Sequence, residues 1–323
     1  MTESPVIKVW DVAFPRLQAP DLDTMEAFLL DFGMVRALRT TNTLYMRGVG
    51  PAPYLHVTHL GDPGFRGFAF QAASREDLDK LAETEPFSPV EKLESPGGGW
   101  RTWARDPMGL QVEVVYGIEL SDSLSNSSPR KLNMASDFQR IGSPQRIGSG
   151  PSRIKRFGHL QLNVADPQKS FEWYRQYFGI LKSDTICITP EHPVGHFCRC
   201  DRGDVPTDHH SILFTSNAAA GGVSGLNHVS WEVCDFDDVL AGHEFLAAKK
   251  RTAEWGVGRH LLGSQIFDYW SDPWGHIHEH WTDGDQFSAD VPPGVHALNE
   301  AAASQWGPDV PQRYRRTSGK IVS

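Results

Sequence analysis

Four stretches of the chain change hydrophobic period in the same way. RLQAPDLDTMEAFLLDFGM (16–34), GFAFQAASREDLDKLAE (67–83), HLQLNVADPQKSFEWYRQYFGI (159–180) and HVSWEVCDFDDVLAGHEFLAAKK (228–250) each open on a short strand-like run. A polar or acidic turn follows, and then apolar residues recur at helical spacing. Alternation distributes side chains over the two faces of a strand, whereas a spacing of three and four gathers them on one face of a helix. Each stretch therefore predicts strand, turn and amphipathic helix. Turn-punctuated short strands come after each helix, which gives four βαβββ modules of roughly fifty to seventy residues.

The two halves also repeat one another. WARDPMGLQVEVV (103–115) and YWSDPWGHIHEHW (269–281) share Asp-Pro-x-Gly followed by a strand with a glutamate at the same offset, so Glu113 and Glu279 are equivalent. Between the halves, residues 119–153 are rich in Ser, Gly, Pro and basic residues with little apolar periodicity, the composition of a linker. The expected organisation is an N-terminal domain over 8–118, a C-terminal domain over 154–285, and a Pro-containing tail over 286–323 outside the repeat. The tail's place, over a pocket or in a subunit contact, stays open.

At 323 residues the chain is long enough for two cores, and its net charge of -9 argues against a nucleic acid or an anionic membrane as partner. It contains no run of about 18 apolar residues, and MTESPVIKVW lacks the basic start and apolar core of a signal peptide. A soluble, cytoplasmic protein is expected. Cys187, Cys198, Cys200 and Cys234 form no CxxC pair and read as reduced packing residues rather than zinc ligands.

The densest chemistry lies in HIHEHW, residues 276–281. On a strand, His276, His278 and His280 share one face, while Glu279 shares the other with Ile277 and Trp281. Either the histidines or the glutamate can belong to a site, and not both together.

The paired modules, with His159 and His228 at the first strands of modules three and four and Glu279 on the last strand, resemble the vicinal oxygen chelate superfamily. This superfamily joins glyoxalases, bleomycin resistance proteins and dioxygenases. Within it the chain is most similar to the two-domain type I extradiol ring-cleaving dioxygenases, over about residues 8–285. The resemblance implies an α+β fold in which modules pair into two domains, each a curved, open, mixed barrel-like sheet with helices outside.

It also implies a metal held by His159, His228 and Glu279. Two imidazoles and a carboxylate form the facial triad of non-haem Fe(II) oxygenases, which leaves positions open for substrate and O2. Fe(II), with Mn(II) as the substitute, O2 as co-substrate and a small aromatic diol as substrate are the expected partners, in a homo-oligomer. Glu279 then faces the site, and His276, His278 and His280 face outward on a solvated or interface surface. His210 matches the histidine that moves protons beside O2, with His209 pointing outward. His260 matches a histidine that hydrogen-bonds the bound diol, and Tyr269 a tyrosine that donates to a substrate oxygen. A turn over Ser271–Gly275 would set Tyr269 opposite Ile277, on the face of Glu279. Gln161, Ser230, Phe267, Ile277 and Trp281 are the expected pocket neighbours.

In the N-terminal half the positions of the two imidazoles read as Arg16 and, approximately, Gly67. That half keeps Glu113 but cannot build the same centre. Two rival readings remain: a glyoxalase-type lyase or isomerase, and a metal-free ligand-binding protein of the bleomycin-resistance kind. The first wants a fourth ligand at the end of module three, where HHSILFTS (209–216) offers no carboxylate; the second has no need of His159 and His228.

Overall fold

In a computed structural model of the chain, residues 4–124, 130–301 and 303–322 are described. The four modules form in order. In the first, the strand Val9–Ala19 leads into the helix Leu22–Phe32 and three further strands. The later modules open on the strands Gly64–Ala72, Ile154–Val164 and Gly225–Val233, which lead into the helices Arg75–Ala82, Pro167–Phe178 and Phe236–Ala248. Each helix starts where its sequence says it should. Asp21, Asp166 and Asp235 accept backbone N–H bonds at the caps, Ser74 and Asp77 form a capping box, and Pro167 occupies the first turn.

The eight strands of modules one and two make one open sheet, and modules three and four make a second. In both, the first strands of the two modules run antiparallel at the centre. In the second sheet, Leu160 and Leu162 point to the helix side and are fully buried, while His159 and Gln161 point to the opposite, concave face. The helix sides of the two sheets close over one continuous core. Tyr174 Oη donates to Asp106 Oδ2 across it at 3.0 Å, and Arg251 pairs with Asp31.

The Asp-Pro-x-Gly repeat is one loop built twice. Asp106 Oδ1 accepts from the backbone of Met108 and Leu110, as Asp272 Oδ1 does from Trp274 and His276. Gly109 and Gly275 close the two turns at φ 83° and 90°, in the left-handed region that a side chain would disfavour. This loop spans 272–276, so Tyr269 stands directly opposite Glu279, and Ile277 opposite Ser271. The expected register was two residues off. The facing survives, because a shift of two preserves side-chain direction.

Within the span expected as a linker, Asn133–Met134 and Asp137–Phe138 pair as a small hairpin, and residues 125–129 lie outside the described part. The tail joins the second sheet: Gly294–Ala297 pairs with Leu181–Thr189, Ser304–Trp306 with Thr252–His260, and Gly319–Lys320 with Gly225–Val233. Among the described residues no helix is long and apolar enough to cross a membrane.

Candidate metal centre

Three strands bring His159, His228 and Glu279 together on the concave face. Strand pairing sets Ser230 opposite both His159 and Glu279, and Ile277 opposite His228. His159 Nε2 lies 3.0 Å from Glu279 Oε2 and 3.3 Å from His228 Nε2, and all three side chains are buried. His228 Nδ1 donates to Asn227 Oδ1 at 2.8 Å, which leaves the Nε2 lone pair aimed at the centre. Glu279 Oε1 has no hydrogen-bond partner among the described residues despite complete burial. Burial alone would raise the Glu279 carboxyl. His159 and its hydrogen bond, with His260 and His228, hold it well below the usual carboxylate range instead, so it is an anion. Burial depresses His228 to about 3, which keeps its imidazole neutral. Two neutral-capable imidazole nitrogens and an ionised carboxylate, with a buried oxygen left over, suit a divalent cation.

His210 lies beside His159 with ring centroids 4.2 Å apart and the rings tilted by 53°. His260 Nε2 meets Tyr269 Oη at 2.9 Å and approaches Glu279 Oε1 at 3.7 Å. Burial drives the Tyr269 phenol well above its ordinary value, so it remains a donor. These residues ring a cavity of about 680 Å³ whose walls are mainly apolar, with Ile186, Val194, Phe197, Leu213, Leu262 and Leu298 among them.

Of the five expected pocket neighbours, Gln161 is on the cavity wall and the other four stand one layer behind. Ser230 donates to Glu279, Phe267 stacks on His260 at 4.0 Å, Ile277 packs with Trp255 and Tyr269, and Trp281 lies under Arg156.

Three expectations need correction. His276, His278 and His280 do face away from Glu279, but none is solvated. His276 is buried on Asp272, and His278 and His280 are buried against the N-terminal half, where His280 Nε2 bonds the Phe32 carbonyl oxygen at 2.8 Å and its ring stacks on Phe32 at 3.8 Å. His209 does not point outward either: it is buried between Asp184 and His210. Third, the N-terminal counterpart of His159 is Phe14. Counting back from the capping Asp166 and Asp21, His159 and Phe14 are both seven residues away, and they lie opposite Ser230 and Ala69. Arg16 corresponds to Gln161. Gly67 keeps its place as the counterpart of His228, by the same count from Asp235 and Ser74.

Arg16 still fills the centre of its half. It forms a two-pronged bond to Glu113 at 2.6 and 3.0 Å, and Arg101 adds a third contact. With the carboxylate so engaged, metal analysis is expected to find about one tightly bound ion per chain. A second ion lost on changing Glu113 would contradict this.

Sequence patterning gave no sign of two contributors from the tail and its neighbour. Tyr314 Oη lies 3.0 Å from His228 Nδ1, and Asn227 Nδ2 donates to the carbonyls of Tyr314 and Arg316. The tail thereby turns the Asn227 amide so that its oxygen faces His228. Asn227→Ala is expected to weaken metal affinity by about 10- to 100-fold, measured by competition with a chelator. An unchanged affinity would remove the tail from the centre.

The paired βαβββ modules and the three converging side chains make up a fold with one candidate metal centre among the described residues. Residues 156–279 match the Glyoxalase/Bleomycin resistance protein/Dioxygenase superfamily, and the chain carries a domain of that superfamily. Metapyrocatechase 2 of Cupriavidus necator is 29% identical over 309 residues, covering 94% of this chain and 90% of that protein. Among solved structures, an extradiol ring-cleaving dioxygenase from B. fuscum superposes with a TM-score of 0.77 at 17% identity, over 100% of this chain and 86% of that one. The Mn(II)-bound glyoxalase from Novosphingobium aromaticivorans gives 0.76 at 22% identity, over 95% and 94%.

Proposed function

We propose that the protein is an Fe(II)-dependent extradiol dioxygenase that opens the ring of a catechol-type diol beside its hydroxyls. Both atoms of O2 enter the product, a 2-hydroxymuconate-type semialdehyde or ketone, as a step in aromatic-compound breakdown. The observation that carries this reading is a group of three candidate ligands at the cavity wall with no fourth beside them among the described residues. The position in module three equivalent to Glu279 is Leu213, since Leu213 lies opposite Gln161 as Glu279 lies opposite Ser230. A glyoxalase-type centre wants a ligand there, and leucine cannot serve.

A bound Fe(II) would supply open coordination positions for both diol oxygens and O2, and a path for electrons between them. The chain supplies the rest. Burial, with the neighbouring His159 and His209, keeps His210 well below the ordinary histidine value, so it is a neutral imidazole able to take the second hydroxyl proton and return it later. Tyr269 donates a hydrogen bond toward a diol oxygen, and His260 holds the phenol in place. The apolar wall excludes water from the reacting ring.

The test is anaerobic reconstitution with Fe(II), followed by O2 uptake and growth of a yellow ring-cleavage absorbance over a panel of catechols. One O2 consumed per ring opened is expected, at about 1:1. A loaded protein that binds diols yet consumes no O2 would overturn the assignment, and Mn(II) loading in parallel decides the metal.

A further inference from the structure

His210 sits at the inner end of a buried chain of polar contacts that the reaction as described does not use. Its Nδ1 lies 3.0 Å from His209 Nδ1. On the far side of that ring, His209 Nε2 lies 2.8 Å from Asp184 Oδ2. The other oxygen of Asp184 is taken by His296 Nε2 at 3.1 Å, and His296 comes from the tail strand Gly294–Ala297. Asp184, His209 and His210 are all less than a tenth exposed, and His296 is partly open to solvent.

The geometry gives this chain one consistent order of donors. Asp184 offers Oδ2 to His209 Nε2 and Oδ1 to His296 Nε2, so it accepts on both sides. With its single ring proton on Nε2, His209 offers a lone pair on Nδ1. In this arrangement His210 carries its proton on Nδ1 and presents a bare Nε2 to the cavity it lines. A tautomer of this kind is set by the bond that the other ring nitrogen makes. Packing holds the chain in line: a Cβ at Gly263 would stand 3.0 Å from His209 Nδ1, and one at Gly294 would stand 2.3 Å from Asp184 Oδ1.

We propose that Asp184 and His209 are positioning residues that lock His210 in its Nδ1–H form, so that Nε2 is the proton acceptor offered to the diol, with His296 anchoring the second oxygen of Asp184. This rests on the dioxygenase reading for the use made of His210, but the locked tautomer is a property of the protein alone.

Nitrogen-15 imidazole spectra of the metal-free wild-type protein are the direct test. His210 is expected to show a protonated Nδ1 and a bare Nε2, and His209 the reverse. In Asp184→Leu, His210 should lose this fixed pattern. In the iron-loaded protein, the same change should lower kcat by about 10- to 100-fold, with KM for the diol and metal content unchanged. Asp184→Asn, whose amide oxygen can still accept from His209, should recover much of the rate. A wild-type His210 protonated on Nε2 would overturn the proposal without any variant having to fold. So would Asp184→Leu with wild-type spectra and kcat. If no catechol is turned over by the loaded wild type, the dioxygenase reading fails, while the spectra still decide the tautomer.

Discussion

The Glu279→Ala protein is expected to emerge from purification without its metal, while His278→Ala keeps the metal and loses stability. These residues are neighbours on one strand, and the opposite outcomes follow from its two faces. Glu279 provides the negative charge of the candidate centre, and its Oε2 is the atom that both imidazoles approach. Without it, two neutral nitrogens would have to hold a dication in a buried site with no charge compensation. His278 faces the other way, between Phe28, Phe32 and Trp231, and is not one of the side chains that converge with Glu279. Truncating it leaves a void in the core shared by the two halves, which costs about 2 to 5 kcal/mol for a large buried side chain. Metal content after gel filtration, with thermal melts, reads both. Retention of metal by Glu279→Ala together with its loss from His278→Ala would reverse the facing and dissolve the triad.

His210→Asn and His210→Phe are expected to keep metal and diol binding and to lose turnover. His210 stands next to His159 but is not among the three side chains whose ligand atoms converge. General acid–base help is typically worth roughly 10² to 10⁴ in rate, or about 3 to 5 kcal/mol of barrier, large enough to measure yet short of what losing the metal would do. A second signature separates proton movement from packing. If the proton is not returned on time, O2 consumption should outrun ring opening and release hydrogen peroxide. Parallel O2, peroxide and product assays decide the matter: full coupling at wild-type rate in both variants would take His210 out of the mechanism. Loss of metal would make it a ligand.

Much of this was legible because the signals were local. A capping aspartate before an apolar-periodic run, and an aspartate closing a Pro-x-Gly turn, act within a few residues, so the modules and the Glu113–Glu279 equivalence could be read directly. The errors arose where the deciding partner is distant. HIHEHW looks solvated because its histidines are polar; the cover of His278 and His280 comes from the helix Leu22–Phe32, some 250 residues earlier in the chain. His209 reads as an outward residue until Asp184 is brought beside it from another strand. The Arg16 placement failed for a different reason. It aligned a charged residue with a histidine near a strand start, when counting from the helix cap would have given Phe14. The tail carried no repeat, so nothing announced that Tyr314 would touch His228.

The pair of glutamates has a consequence for how long the protein survives in a cell. Glu113 carries its counter-charge in the same polypeptide, since Arg16 cannot be lost or deprotonated. The counter-charge that suits Glu279 is a cation drawn from solution. A ligand that binds only the folded chain stabilises it by mass action, by about 2.7 kcal/mol at a free concentration of 100 times Kd. One half therefore has a fixed stability, and the other has a stability that rises and falls with metal supply. Because both share a core, metal starvation should expose the whole chain to proteolysis. Steady-state abundance would then track available metal even at constant synthesis, clearing unloaded copies before they accumulate as inactive protein.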